Sequence, residues 1–331
     1  MMMVITQNAT IEYNNFMKKA LITGINGSGA TYLAEHLTTI PDIQIQGISR
    51  WHTDRKNKSG VFSKIQMFEC DLTDLGSVIR TLEEAQPDYI FHLASNANVK
   101  LSFTTPISVF NNNVNGTLNL LEALRITNQK PMIQFCGTSE VYGQVRPDEI
   151  PIKESQSIDP VNVYAISKLT QEKLVKSYYR SYDIPCVITR AFGYINPRRP
   201  DIFSSAFAKQ IVDIERGKQD VLYHGNLDSV RTLLDVRDIV EAYWIAAIRC
   251  ELGEAYNIGS TVPVRVGDFL EELKRQAKCK IVSKEDPNLL RPVDVTLQIP
   301  SVDKFYEKTN WKPKYTLEDS VKLLLDYYRN Q

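Results

Sequence analysis

From Lys19 onward the chain alternates short apolar runs with stretches of helical periodicity, and this rhythm narrows the folds open to it more than any other feature. Lys19–Thr23 reads as a buried strand that enters a glycine-rich turn and then a helix over Ser28–Leu37. Further strands are expected at Ile43–Ile48, ending at Phe68–Asp71, and at Tyr89–Leu93, Met132–Cys136 and Cys186–Thr189. Helices are expected between them at Leu75–Glu84, Val109–Ile126 and Val161–Tyr182. Strands separated by helices predict an α/β fold with a doubly wound parallel sheet covered on both faces. After Gly193 the rhythm breaks, and helices over Ile202–Arg216, Val236–Cys250, Val266–Gln276 and Leu317–Tyr328 predict a smaller C-terminal α/β lobe. The expected division is a loose extension over residues 1–17, a nucleotide-binding unit over 18–192 that 234–258 rejoins, and a substrate lobe made mostly of 193–331.

Composition excludes several function classes. Lysine and arginine total 39 and aspartate and glutamate total 39 among 331 residues, so no basic excess favours nucleic acid or an anionic membrane surface. No apolar run approaches the ~20 residues of a membrane-spanning helix, and the first residues lack the apolar stretch of a signal peptide. The five cysteines form no CxxC or Cys/His cluster, and the four histidines are scattered. These features predict a cytoplasmic protein with no disulfide frame and no metal site.

The first strand opens into Thr23-Gly24-Ile25-Asn26-Gly27-Ser28-Gly29-Ala30. Small residues at a strand-to-helix turn let the backbone approach a pyrophosphate, and the helix N-terminus presents free N–H groups and a partial positive charge. This predicts a Rossmann-type nucleotide site, although such turns also occur without a ligand. The second strand ends in Gly47-Ile48-Ser49-Arg50. An acidic residue there holds the ribose of NAD, whereas an arginine suits the 2′-phosphate of NADP. Arg50, with Arg55, therefore favours NADP over NAD; the plain alternative is a solvated surface arginine.

Two further features carry chemistry. The fifth strand runs into Gly137-Thr138-Ser139-Glu140-Val141-Tyr142-Gly143, and Tyr164-Ala165-Ile166-Ser167-Lys168 lies on the following long helix. A spacing of four puts Tyr164 and Lys168 on one helical face. A nearby ammonium favours tyrosinate, and such a tyrosine takes a hydroxyl proton while hydride leaves the same carbon. The spacing is common by itself; after a glycine turn and a Thr-Ser-Glu strand end it is far more specific.

Together these residues resemble the extended short-chain dehydrogenase/reductases, and within them the GDP-mannose 4,6-dehydratases and the related GDP-4-keto-6-deoxymannose reductases. The resemblance runs from about Lys19 to the C-terminus. It is carried by Ala20-Leu21-Ile22-Thr23-Gly24, Tyr32-Leu33-Ala34-Glu35, Asp71-Leu72-Thr73-Asp74, Gln86-Pro87-Asp88, Val99-Lys100-Leu101-Ser102-Phe103, Thr138-Ser139-Glu140 with Tyr142-Gly143, Pro197-Arg198-Arg199, Gly225-Asn226-Leu227-Asp228, Arg291-Pro292 and Trp311-Lys312-Pro313.

The resemblance implies roles for individual residues. Gly24, Asn26, Gly27 and Ala30 would line the pyrophosphate turn, and Arg50 would hold the 2′-phosphate of NADP. Asp71 and Leu72 would border the adenine, and Leu93 and Ala94 the nicotinamide ribose. Tyr164 and Lys168 would act together in the oxidation, Lys168 also holding that ribose, while Thr138 hydrogen-bonds the sugar hydroxyl. Asn113 and Ser139 would lie beside the substrate, Asn113 helping to hold the lysine, and Arg231 and Arg291 would meet the diphosphate of a GDP-sugar. Glu140 suits removal of the C5 proton, which a C4 ketone acidifies, and its delivery to the departing C6 hydroxyl. The assembly implied is a homodimer or homotetramer.

The chain departs from the family pattern at two places. Ala30 stands for the turn's usual third glycine, preceded by Gly29 where an acidic residue is common. Gly193 stands where dehydratases carry an asparagine that contacts the sugar nucleotide, leaving Tyr194 or Asn196 as candidate donors. The dehydratase reading leads. The alternatives are the 4-keto-6-deoxy reductase, a dehydratase or epimerase for another nucleotide sugar such as a GDP-heptose, and a catalytically idle binding protein. Arg198-Arg199 is open to three readings: a phosphate grip, a subunit contact or a surface pair. His92 reads as a satisfied core residue.

Overall fold

The computed structural model describes residues 17–50, 60–290 and 295–331. The expected extension up to residue 16, Arg55 and Arg291 fall outside the described residues. In chain order the first unit contains β1 (Lys18–Thr23), α1 (Ser28–Leu37), β2 (Ile43–Ser49), β3 (Ile65–Glu69), α2 (Leu75–Ala85), β4 (Tyr89–His92), α3 (Val99–Thr104), α4 (Pro106–Ile126), β5 (Met132–Thr138), α5 (Val163–Tyr182) and β6 (Cys186–Ala191). The chain continues through β7 (Tyr194–Ile195), α6 (Phe203–Glu215), β8 (Val221–His224), β9 (Val230–Thr232), β10 (Leu234–Asp235), α7 (Val236–Arg249) and β11 (Ala255–Ile258). It ends with β12 (Pro263–Arg265), α8 (Val266–Arg275), β13 (Val282–Glu285), β14 (Leu297–Gln298), α9 (Asp303–Thr309) and α10 (Leu317–Arg329).

Seven strands form one sheet in the order β3-β2-β1-β4-β5-β6-β11, and every neighbouring pair is parallel. Parallel neighbours need crossovers, so both faces are covered and the strands are apolar on both sides. Ala20 and Ile22 of β1 and Phe91 of β4 pack with Leu33 and Leu37 of α1 and Ile239 and Tyr243 of α7. Leu21, Ile90, Ile133 and Phe135 face the other way, onto Val78 and Leu82 of α2, Leu120 and Leu124 of α4 and Val175 of α5. This alternation is the period-two geometry of a strand. The Rossmann-type arrangement expected from the strand–helix rhythm is therefore present, with the strand order reversing between β1 and β4. Residues 236–258 return to this unit, α7 packing beside α1 and β11 adding the strand outside β6.

A separate core joins Phe207 and Ile211 of α6, Phe269 and Leu273 of α8, and Leu324 and Tyr328 of α10. Polar straps tie it to the sheet. Arg198 donates to Thr31 Oγ1 at 3.1 Å and Glu35 Oε1 at 2.7 Å, and its guanidinium lies 3.9 Å from the Tyr32 ring centroid. This packing against α1 is not among the three readings open for Arg198. The Tyr328 hydroxyl donates to the Pro197 carbonyl at 2.8 Å.

The fifth strand, expected to end at Cys136, runs on to Thr138. The sixth strand runs on to Ala191, and α4 begins at Pro106, where proline fits the first helical turn. The six-residue α3 is absent from the sequence reading because so short a helix shows no full apolar period.

One buried ion pair holds α5 to the sheet. Arg190 on β6 forks onto Glu172 of α5, with Nη2···Oε1 at 2.7 Å and Nε···Oε2 at 3.0 Å, both side chains at most 4% exposed. Arg190 also donates to the Tyr142 hydroxyl at 2.8 Å, which donates in turn to Asn257 Oδ1 at 2.8 Å. The network fixes the turn after β5 and the helix that faces it. Arg190→Leu strands the Glu172 carboxylate in the core and is expected to cost about 3–5 kcal/mol in equilibrium denaturant unfolding; a loss below about 1 kcal/mol would show that the pair does not hold this region.

Candidate active site

A cavity of about 1750 Å³ opens at the carboxyl ends of the strands and extends between the sheet and the C-terminal lobe. The expected residues of the glycine turn, Arg50, Asp71, Leu72, Leu93, Ala94, Asn113, Thr138, Ser139, Glu140, Tyr164, Lys168, Tyr194 and Arg231 all line it. The glycine turn forms one end. Gly24 has φ +68°, and a Cβ there would lie 2.9 Å from Ala94 Cα, so the turn is closed to larger residues. Ala94 N donates to Thr23 Oγ1 at 3.1 Å, which joins this turn to the loop after β4. Helix α1 starts at Gly27 with no side-chain cap, whereas α2, α5 and α7 are capped by Asp74, Asn162 and Asp235. Its first N–H groups therefore lack a side-chain acceptor at the cavity wall.

Arg50 stands exposed at the end of β2. Beside it, two hydrogen bonds from Thr73, at 2.9 and 2.8 Å, draw the Asp71 carboxyl below its ordinary range, the backbone bond contributing most. Leu93, Ala94 and Ser95 continue the wall, and the Ser95 hydroxyl is buried with no hydrogen-bond partner. His92 sits behind them, its two ring nitrogens each 2.8 Å from a threonine hydroxyl, Thr23 and Thr117. Burial lowers its pKa to about 3, so it is a neutral core residue.

The reactive end gathers Thr138, Ser139, Glu140, Tyr164 and Lys168. Thr138 ends β5, and its hydroxyl accepts from Glu140 N at 3.3 Å and hydrogen-bonds Tyr164. Ser139 begins the short turn that follows and is 3% exposed. Burial pushes the Tyr164 phenol well above its usual range, and the strongest opposing charge is the Arg199 guanidinium. The sequence reading gave that work to Lys168. Burial brings Lys168 down to about 8, and its ammonium rests 4.4 Å from the Phe135 ring centroid. Arg199 donates to the Ala97 carbonyl at 2.7 Å and faces both Tyr164 and Tyr194. A charged residue in a proline-flanked segment reads as surface; only the fold turns this one inward.

Asn113 is held by protein groups on every side. Its Oδ1 accepts from Asn96 N at 2.7 Å and Asn112 Nδ2 at 3.1 Å, and its Nδ2 donates to Ser167 Oγ at 2.9 Å and Asn96 O at 3.3 Å. An amide has two donors and two acceptor sites, so protein groups use its whole capacity and none is left for a substrate. It reaches α5 through Ser167, whose hydroxyl donates to the Tyr164 carbonyl at 2.7 Å, rather than by a bond to Lys168.

Glu140 has a partner absent from the sequence reading: Asn162 Nδ2 donates to Glu140 Oε2 at 3.3 Å. Arg231, on β9, lies on the opposite wall in register with Gln298 of β14. Of the two candidate donors near Gly193, Asn196 is fully buried and committed to Ser28 Oγ and Arg198 N, at 3.2 and 3.0 Å. Tyr194 is the one that lines the cavity.

The sequence model of the family described as GDP-mannose 4,6 dehydratase matches residues 21–324. The chain belongs to that family. A GDP-mannose 4,6-dehydratase of Yersinia enterocolitica is 30% identical over 344 residues, covering 92% of this chain and 91% of that protein. A GDP-6-deoxy-D-mannose reductase of Pseudomonas aeruginosa is also 30% identical, over 247 residues, with 74% and 81% covered. Among solved structures, that of RMD from Pseudomonas aeruginosa complexed with NADPH superposes with a TM-score of 0.82 at 26% identity, covering 95% of this chain and 98% of that one. The Thermus thermophilus UDP-glucose 4-epimerase complex with NAD gives a TM-score of 0.81 at 26% identity, covering 94% and 99%. The chain is thus a member of the nucleotide-sugar dehydratase and epimerase branch of the short-chain dehydrogenase/reductases. Among the described residues no helix is long and apolar enough to cross a membrane, and no three His, Cys, Asp or Glu side chains gather as a metal site.

Gly193 separates this member of the GDP-mannose 4,6-dehydratase family from the asparagine expected there. A Cβ at 193 would meet the Thr232 carbonyl oxygen at 2.6 Å, so β9 has closed into the space of a side chain. Gly193→Ala must displace that strand and is expected to lower stability by about 1–3 kcal/mol, read as a fall in the denaturant midpoint. An unchanged midpoint would show that the strand yields freely.

Proposed function

We propose that the protein is an NADP-dependent GDP-mannose 4,6-dehydratase that releases water to give GDP-4-keto-6-deoxymannose. The observation that carries this reading is the placement of a carboxylate, Glu140, beside Thr138 and Tyr164 at the end of the cavity away from the glycine turn. A simple oxidation or reduction needs the hydroxyl and phenol; elimination also needs a base for a carbon-bound proton.

The cavity suits a dinucleotide. The Gly24 turn admits close backbone approach, α1 has no side-chain cap, and the Ser95 hydroxyl is buried without a partner on the same wall. Gly24, Asn26, Gly27 and Ala30 would take the pyrophosphate, Asp71 and Leu72 the adenine side, Arg50 the 2′-phosphate that distinguishes NADP, and Leu93, Ala94 and Lys168 the nicotinamide ribose. When bound, the nicotinamide ring supplies the hydride chemistry, accepting hydride from C4 and returning it at C6, so the net reaction consumes no reductant.

The chain's own groups manage the protons. Tyr164, with Thr138 fixing the oxygen, takes the proton of the C4 hydroxyl. The Arg199 guanidinium favours its anion, against burial that favours the neutral phenol. The C4 ketone makes the C5 hydrogen acidic, and Glu140 removes it. The Glu140 acid then gives that proton to the C6 hydroxyl, which leaves as water; once hydride is back at C6 the enolate carbon C5 takes a proton from solvent, and Tyr164 returns its proton to solvent. Arg231 would meet the diphosphate, with Arg291 as the second expected cation. The reading as a 4-keto-6-deoxy reductase is favoured by the similarity to the Pseudomonas reductase; it uses Tyr164 and Lys168 and leaves Glu140 without a task.

Incubation with GDP-mannose and catalytic NADP, in deuterated water and without reductant, is expected to yield a 4-keto-6-deoxy product labelled at C5. NAD should support it poorly, and Glu140→Gln should lower turnover at least 100-fold with NADP affinity retained. Stoichiometric consumption of NADPH on a 4-keto substrate, with no water release from GDP-mannose, would establish the reductase instead.

The Lys168 ammonium gives a pH test. It is present below about 8 and lost above, so kcat/KM should fall as pH rises through that value. Lys168→Arg keeps its charge at every working pH and should remove that limb; a limb unchanged in the variant would assign it to another group.

A further inference from the structure

Helix α5 begins at Asn162, and this residue has two partners. Its Oδ1 accepts from Ala165 N at 2.8 Å, the ordinary bond of a helix cap. Its Nδ2 donates to Glu140 Oε2 at 3.3 Å. The first bond fixes the second. An amide whose oxygen must face an N–H has only one way to lie, so the NH₂ group is held toward Glu140 and cannot flip away. Asn162 itself is 7% exposed and therefore packed in place.

Glu140 lies on the turn after β5, secured by its own backbone: its N–H donates to Thr138 Oγ1 at 3.3 Å, and its carbonyl accepts from Gly143 N at 3.2 Å. Those bonds hold the main chain but leave the side chain to rotate. The Asn162 amide is the contact that ties the carboxylate, by one oxygen, to the helix carrying Tyr164 two residues later. The other oxygen is left for chemistry. The two groups that must act on adjacent sugar carbons are thereby referred to one rigid element.

We infer that Asn162 is a positioning residue for the elimination step, aiming the Glu140 carboxylate at the carbon-bound proton while it caps the helix. The inference rests on the proposed dehydratase reading and names the device that makes Glu140 effective there. Oxidation at C4 uses Tyr164, Thr138 and Lys168 and does not depend on where Glu140 points, so the role falls on one half of the cycle.

The test uses replacements that keep the cap and remove the amide donor. Aspartate and serine are as good as asparagine at this position of a helix; aspartate has no donor and sets a like charge against Glu140, and the hydroxyl of serine is one bond shorter than the amide and does not reach the carboxylate as the NH₂ group does. Asn162→Asp and Asn162→Ser are expected to melt within a few degrees of the wild type. They should reduce NADP at the wild-type rate in a single turnover with GDP-mannose, and lose 10- to 100-fold in water release and C5 deuterium exchange, with KM little changed. In a Glu140→Gln background the same replacements should cause no further loss, as expected of two residues acting through one contact. Wild-type elimination rates in both variants, an equal loss in the oxidation half-reaction, or an undiminished loss in the Glu140→Gln background would each overturn the role of Asn162. A wild-type enzyme that oxidises or reduces without releasing water would overturn the dehydratase reading as well, and that result is read from the wild type alone.

Discussion

A parallel sheet cannot join its strands by tight turns, and the layout of this protein follows from that constraint. Each crossover must traverse a face, so helices cover both sides and the loops at the carboxyl ends of the strands lie along one edge. Where the order reverses, between β1 and β4, successive crossovers leave in opposite directions and the edge opens into a crevice. The Gly24 turn and the loop after β4 form its two lips, closed enough that a Cβ on Gly24 would lie 2.9 Å from Ala94. The C-terminal lobe then needs only to cap this crevice, which it does by straps such as Arg198 on α1 rather than by a continuous core. The cavity is a consequence of topology; its chemistry is added by what the loops carry.

Helix α5 turns that crevice into a site with fixed geometry. From its first residues to its middle it presents Tyr164, Lys168 and Glu172 at spacings of four, one stripe along one face. Glu172 locks onto Arg190 in the core, which sets the helix against β6. That anchor lies one turn beyond Lys168, so the two cavity-facing residues inherit a position set by a buried ion pair. The pair is bidentate and nearly solvent-free, a geometry with little tolerance for rotation. Ser167, between the two functional residues, is gripped from α4 by Asn113, which prevents the helix from turning about its axis.

Much of this was legible in the sequence, because the signals were local. Strand boundaries follow from apolar runs ended by glycine, proline and asparagine, and the Tyr164–Lys168 pair is a spacing on one helix. The contacts that escaped are those whose partners lie far apart in the chain. Asn113 and Ser167 are 54 residues apart, and Asn162 and Glu140 are 22 apart. An asparagine two residues before a catalytic tyrosine is readable as a cap, but the second use of its amide depends on where β5 ends in space. Arg199 likewise was open to three readings, none of which turned it toward two buried phenols. Gly193 was readable as a missing asparagine, yet the Thr232 carbonyl that fills its place belongs to a strand laid down only by the tertiary fold.

The same geometry bears on the absence of net charge. A diphosphate ligand invites a basic cleft, but the proposed elimination also needs a carboxylate in that cleft that no arginine occupies. A uniformly positive cavity would hold the ligand well and draw Glu140 into an ion pair, spending its lone pairs on arginine. Here the cations are dispersed: Arg50 stands at the far end of the sheet, Arg231 on the opposite wall, and Arg199 is committed to the Ala97 carbonyl and to the phenols. What faces Glu140 is instead a neutral amide, which donates a hydrogen bond without neutralising charge. Orientation is obtained by a hydrogen bond rather than by an ion pair. The even balance of acidic and basic residues is thus compatible with an anionic substrate because charge is placed group by group rather than as a field.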